Sequence, residues 1–371
     1  MLHGTRWMMR QPPLGLLTVA CCVLLPAWTG LSGGAGAQVA DRKVEAPAMS
    51  EASRPHRLSP REESVSQSAP SIQALIVAKN HIVYAGSFGQ GIFRSHDRGG
   101  SWDAVNSGLK DLFILCLANG KDGTLYAGTF RAGVFQSRDG GTTWQAMNRG
   151  LKRLEIKALL VEDEMIYAGT GDGVYRLSDI DKGWKVVSAG LDETLVHTLA
   201  RAPDGTLYAG TSGKGILRYR ATASAWTRLS QGLVDHEGLG QNFVRVLVVD
   251  KDQDLYAGTF DGGVFRSSDS GQTWQPISQA LPNDSIRGIV LNERGLFVAT
   301  GRGIFKSQNK GRNWTPLNSG LAERSVQVLI ASGEGPMYAG TSAGVFRSDD
   351  GGQNWIGVSR GLQGTMQSPF R

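Results

Sequence analysis

A unit of about 40 residues recurs seven times along this chain, and no other feature narrows the possible folds so sharply. Residues 125–151 give its fullest copy, LYAGTFRAGVFQSRDGGTTWQAMNRGL. The copies are counted by Trp102, Trp144, Trp184, Trp226, Trp274, Trp314 and Trp355, spaced by 42, 40, 42, 48, 40 and 41 residues. A unit this small cannot bury its apolar face alone, so the copies must stack on one another. In the fullest copy, 125–129, 133–137 and 143–147 are short apolar, β-branched runs that read as strands. A further apolar run precedes each aromatic-Ala-Gly element, as in 72–77, 244–249 and 326–330. Seven units of four strands predict an all-β, seven-bladed β-propeller, in which radial repetition leaves only short edges.

Between the second and third runs lies Ser137-Arg138-Asp139-Gly140-Gly141-Thr142-Thr143-Trp144, the pattern Ser-x-Asp-x-Gly-x-Thr-Trp. The carboxylate can accept turn N–H groups, the Gly supplies a positive φ, and the Trp offers a large apolar surface to neighbouring strands. The pattern is close to full at Asp97, Asp139, Asp269 and Asp350, carries Asn309 in copy six and a depleted Asp179 turn in copy three, and loses its acid in copy four. A catalytic element could not decay in this way, so the turn reads as scaffold.

These residues resemble the Asp-box, or bacterial neuraminidase repeat, over 71–362. The resemblance implies the propeller fold and leaves activity open, since it spans sialidases, xyloglucan-type glucanases, sortilin-like receptors and assembly factors resembling the photosystem II stability factor. Sialidases are six-bladed and begin with Arg-Ile-Pro, which is absent here. Size, blade number and export signal are most similar to the non-enzymatic assembly-factor group.

Residues 1–37 carry Arg6 and Arg10, no acid, an apolar run and a terminal Ala35-Gly36-Ala37, the pattern of a cleaved secretory signal. Export to the periplasm or beyond is expected, with no transmembrane segment after cleavage. Cys21 offers only a faint lipidation pattern, because the apolar run continues past it. Cleavage lowers the formal charge from +6 to +4 and leaves Cys116 alone in an apolar strand, where it reads as a small buried hydrophobe. Residues 38–70 are charge-balanced and rich in Ser, Ala and Pro, the composition of a disordered linker; 363–371 form a C-terminal tail. A charge of +4 spread over the folded part is too dilute to recruit nucleic acid. The six histidines lack metal-ligand spacing, the Gly-rich turns lack the Lys-Ser/Thr of a phosphate loop, and no Gly-x-Ser-x-Gly elbow occurs, so no cofactor is implied.

Function is expected where loops converge, on the face opposite the Asp-box turns. If strands A to D of each copy run from centre to rim, that face carries the D–A and B–C loops. The B–C loops supply Phe88, Phe130 and Phe260, with Arg131, Asp172, Lys214, Asp261 and Arg302 beside them; 234–242 form the long D–A connection. The A strands, aligned on Ile72, Phe113, Ile156, Val196, Val244, Ile286 and Val326, continue with Gln73, Ile114, Lys157, His197, Arg245, Arg287 and Gln327. Six of these seven are polar in strands otherwise nearly all apolar. Either they line a wet channel, or Lys157, His197, Arg245 and Arg287 form a ring of donors that receives an anionic group. The expected role is a non-catalytic scaffold binding a protein partner or an anionic or carbohydrate polymer. The alternative is a glycoside hydrolase, for which Glu155, Asp172, Asp192, Asp261 and Asp284 are the carboxylates on that face. With the first run an A strand and the last a D strand, no strand is left to exchange between terminal copies, so closure by packing is expected.

Overall fold

The computed structural model describes residues 69–162, 165–187, 191, 193–220, 225–233, 243–282 and 285–363. The export signal, nearly all of the linker, the connection 234–242, the carboxylates Asp192 and Asp284, and residues 364–371 lie outside these. The described residues build seven antiparallel sheets, each of four consecutive strands. Blade two is typical: strand A is Ile114–Asn119, B Leu125–Thr129, C Val134–Ser137 and D Gln145–Ala146. Neighbouring A strands touch in a closed ring, the seventh (Val326–Ala331) returning to the first (Ile72–Val77). The A strands thus line the axis, and the short exposed D strands form the rim. Among the described residues no helix is long and apolar enough to cross a membrane.

Burial follows position. A, B and C strands are apolar because they lie between blades, and Phe93, Phe135, Phe265 and Tyr175 are among the largest side chains fully enclosed. Close approach is set by the B-strand Gly, for example Gly128, where an added Cβ would lie 2.8 Å from the Ile156 side chain of the next blade. Blade six reverses the arrangement: Ala299 stands on the B strand and its register partner on the A strand is Gly288. One Cβ has moved across the strand pair, and the space is conserved.

Each tryptophan ties its blade to the one before. All seven indole Nε1–H groups donate across the interface, to the carbonyls of Val358, Val105, Met147, Val187, Leu229, Ile277 and Leu317, at 2.6–2.9 Å. Among the described residues, five backbone N–H groups of the same tryptophans also reach back, as from Trp144 to the Ser107 carbonyl. The Gly that closes a copy makes room for this crossing: a Cβ on Gly108 would lie 2.2 Å from the Trp144 carbonyl oxygen, and its φ is +89°. Trp102 makes the same bonds to blade seven, so the joint between last and first blades matches the others.

The Asp-box turn is built as a cage around its carboxylate. In blade two Asp139 Oδ1 accepts from Ser137 Oγ at 2.8 Å and Thr143 N–H at 2.9 Å, and Oδ2 accepts from Thr143 Oγ1 at 2.6 Å. Ser137 Oγ in turn accepts the Gly141 N–H at 2.8 Å. Asn309 reproduces the Oδ1 contacts in blade six. The cage presents the carbonyl after the acid to the preceding blade, where Tyr84 and Arg94 both donate to Gly140 O at 2.9 and 2.8 Å. Tyr338 and Arg347 do the same to Arg98 O across the closing joint. The turn is an inter-blade clip. Cys116 is buried, with Sγ 3.6 Å from the Ile156 carbonyl.

Candidate functional site

Every A strand pairs with its B strand through a bulge at one residue near its start. The skipped positions are Gln73, Leu115, Lys157, His197, Arg245, Arg287 and Gln327. A bulge leaves one residue outside the ladder and re-aims its side chain, here toward the end of the A strand where the D–A and B–C loops leave. The polar position read from the sequence is therefore a structural class. One member is corrected. Aligning on Phe113 put Ile114 in the ring, but Ile114 packs where Ile72 and Ile156 do, and the bulge residue of blade two is Leu115. Six of the seven remain polar.

Lys157 is 3% exposed; its Nζ lies 2.7 Å from Glu155 Oε1 and 5.8 Å from the Phe130 ring centroid. Arg245 is 6% exposed, with its guanidinium 4.5 Å from the Phe260 centroid and Nη1 donating to Ser285 Oγ of the next blade at 3.2 Å. Arg287 repeats that reach, Nη1 to Ser325 Oγ at 3.0 Å, and its Nη2 lies over Gly301 of the B–C turn. Gln327 also donates to Ser325 Oγ, and Gln73 to Ser71 Oγ. A polar chain thus runs over blades five to seven.

His197 departs from the expected role. It is completely buried, with Nε2 2.8 Å from Ser212 Oγ and its ring 4.6 Å from that of Phe243. Burial, with repulsion from Lys157 and then Arg245 added, holds its pKa down to about 3. The imidazole is neutral at physiological pH, so three cations, not four, surround the mouth, and one of them is paired with Glu155.

The aromatic loop residues split. Phe88 is half-buried edge-on against Phe113, centroids 4.6 Å apart, and Phe130 is half-buried beneath Lys157. Phe260 is 43% exposed and packs at a tilt against Phe243, ring centroids 5.5 Å apart. Phe243, Ser285 and Ser325, which complete these contacts, went unrecognised in the sequence, and Phe113 enters there only as the start of an A strand. All four occupy the residue just before an A strand, and the corrected alignment exposes that position as a second repeating one. Among the carboxylates, Glu155 is held by Lys157, while Asp172 accepts from Thr170 Oγ1 at 2.7 Å and Tyr175 O–H at 2.9 Å.

A family model described as the BNR-Asp box repeat matches residues 92–105, the turn of blade one. No significant sequence match to a curated protein was found. Solved propellers resemble the chain in fold. The extracellular domain of a one component system from B. thetaiotaomicron superposes with a TM-score of 0.65 at 18% identity, over 76% of this chain and 39% of that one. YCF48 bound to D1 peptide gives 0.62 at 14%, over 76% and 94%. The GH74 enzyme of Niastella koreensis gives 0.64 at 16%, over 79% and 55%. The chain thus spans well under two thirds of the first and third proteins, and at such identities the likeness carries the fold alone.

Proposed function

Because the chain is a seven-bladed β-propeller built of Asp-box repeats, we propose that it is an exported, non-catalytic binding module whose loop face receives a protein partner or an anionic or carbohydrate polymer. One observation carries this reading. In six of the seven blades the bulge residue near the start of the A strand is polar, and two of these, Lys157 and Arg245, are almost completely buried. Lys157 is paired with Glu155 and Arg245 is held by Ser285 and the Phe260 ring, and fixed cations gathered on one face raise the local positive potential, which favours an anionic group there. Exposed Phe260 beside Arg245 adds an apolar surface of the sort used at recognition sites. The signal-like residues 1–37 support export, as does the extracellular setting named for one structural neighbour. Glycoside hydrolysis is the weaker reading, since Glu155 and Asp172 are each engaged by a neighbouring side chain.

The test is the Arg245→Gln, Arg287→Gln double variant, assayed for retention on dextran sulfate and polygalacturonate and for co-purification of envelope proteins. Binding should fall at least tenfold, its residual salt dependence should flatten, and thermal stability should stay equal or rise. Unchanged binding, with Phe88 or Phe260 variants impaired instead, would move the site outward to the aromatic loops.

A further inference from the structure

Beside the channel mouth, between blades two, three and four, the loop face holds a depression of about 430 Å³, within the range of roughly 300–1,000 Å³ that ligand pockets occupy. Phe130 and Arg131 come from the B–C loop of blade two, Arg153, Leu154 and Glu155 from the connection into blade three, and Leu195 from the entry to blade four. Three of these six side chains are apolar, and Leu154, 38% exposed, is accessible to a ligand from the hollow.

The charges on the lining nearly cancel, and the remainder has a definite sign. Glu155 is matched by Lys157 at 2.7 Å. Arg131 lies 3.5 Å from Asp111, an acid only 2% exposed that also accepts the Arg131 and Phe113 N–H groups, and its guanidinium rests 4.9 Å from the Phe113 centroid. Arg153 is exposed and makes no ion pair or hydrogen bond among the described residues. One positive charge therefore stands uncompensated at the lip of an apolar hollow, with the Arg131 fork fixed beside it.

We propose that this depression is a binding site for a single carboxylate carried next to one apolar side chain. Arg153 and Arg131 receive the carboxylate, while Phe130, Leu154 and Leu195 enclose the side chain. A guanidinium can take a carboxylate with two parallel hydrogen bonds, and ordering one long side chain costs less when its neighbour is already held. A dianion or polyanion would bring more charge than the lining leaves open, and a neutral sugar would leave Arg153 unanswered. The chemistry has two sources: a free N-acylated amino acid, or the C-terminal residue of a peptide. The proposal rests on the loop face being the binding face, but of the three bulge cations it involves only Lys157, as the partner of Glu155.

The test is calorimetric titration of the full chain with N-acetylphenylalanine, N-acetylphenylalaninamide, a hexapeptide ending in phenylalanine, and that hexapeptide C-amidated. Both carboxylates should bind with one-to-one stoichiometry, and both amides at least tenfold more weakly. Arg153→Gln should lose the same factor without change in melting temperature, and Leu154→Ser should weaken both carboxylates. A hexapeptide tenfold tighter than the acyl amino acid assigns the site to a chain end; equal affinities assign it to the free acid. Amides that bind as well as acids, no saturation by either acid at millimolar concentration, or tighter binding of a diglucuronide would each overturn the proposal. Retained binding in the Arg245→Gln, Arg287→Gln variant would separate this pocket from the channel mouth, so either reading can fail alone.

Discussion

At the scale of single residues the Asp-box is an electrostatic cage, and its pH behaviour follows from that. Hydrogen bonds from the Ser101 backbone and hydroxyl, the Thr143 hydroxyl and backbone, and the Asn354 backbone, respectively, lead in holding Asp97, Asp139 and Asp350 at about 2. Unfolded aspartates titrate near 3.9, so between about 4 and 2 the unfolded chain binds more protons. The contribution of each cage is complete above about pH 4 and is lost as pH falls toward 2. Asp139→Ala should therefore lower the melting temperature at pH 7 and lower it much less at pH 2, with loop-face binding preserved. Asp139→Asn, which keeps the Oδ1 acceptor as Asn309 does in blade six, should fall between parent and Ala at pH 7. Melting curves of the three proteins at both pH values check this; an Ala variant that melts like the parent at pH 7 would mean the cage carries no stability.

At the scale of elements, blade packing depends on a small residue at one point of each A–B pair. Seven pairs satisfy the rule, and blade six satisfies it from the opposite strand, with Gly288 facing Ala299. A Cβ on Gly288 would meet both the Ala299 Cβ and the Leu329 nitrogen at 3.3 Å. Gly288→Ala should cost about 1–3 kcal/mol by overpacking, and adding Ala299→Gly should recover part of that loss because the pair then matches the other blades. Chemical denaturation of both single variants and the double one gives the coupling directly; strict additivity would show that the two positions do not share space. The bulge is the complementary device, since the same strands that demand small residues in the packed interface extrude long polar ones at the mouth.

At the scale of the whole molecule, the ring of blades closes through the joint that links every consecutive pair. In the described residues the first and last blades share no strand, while Trp102 donates to the carbonyls of Val358 and Arg360 in blade seven. Trp102→Phe and Trp144→Phe should then destabilise to the same extent, on the order of 1–3 kcal/mol each, because both strand a buried carbonyl without its donor. A Trp102 variant clearly less harmful than its counterpart would point to a further element securing closure. The two faces also differ in kind. The Asp-box turns of blades one and two offer a carbonyl to a tyrosine and a C-strand arginine of the preceding blade, whereas the loop face gathers the bulge cations Lys157, Arg245 and Arg287 with Phe260 and Arg153.

The sequence by itself determined the blade count, the four-strand unit, the scaffold role of the Asp-box and the polar position on the A strands. Each is a local pattern repeated often enough to cancel the irregularity of any one copy. Where repetition could not help, the sequence was silent. In Phe113-Ile114-Leu115 every residue is apolar, so nothing in the pattern marks which one bulges; contact of Ile114 with Gly86 in the preceding blade decides it. The neutrality of His197 depends on complete burial between two cations that lie forty residues to one side and forty-eight to the other. The partners of the tryptophan N–H groups lie in the preceding blade, and the hollow around Arg153 needs three blades to enclose it. These are properties of distances between chain segments, which composition and spacing do not encode and only the closed ring supplies.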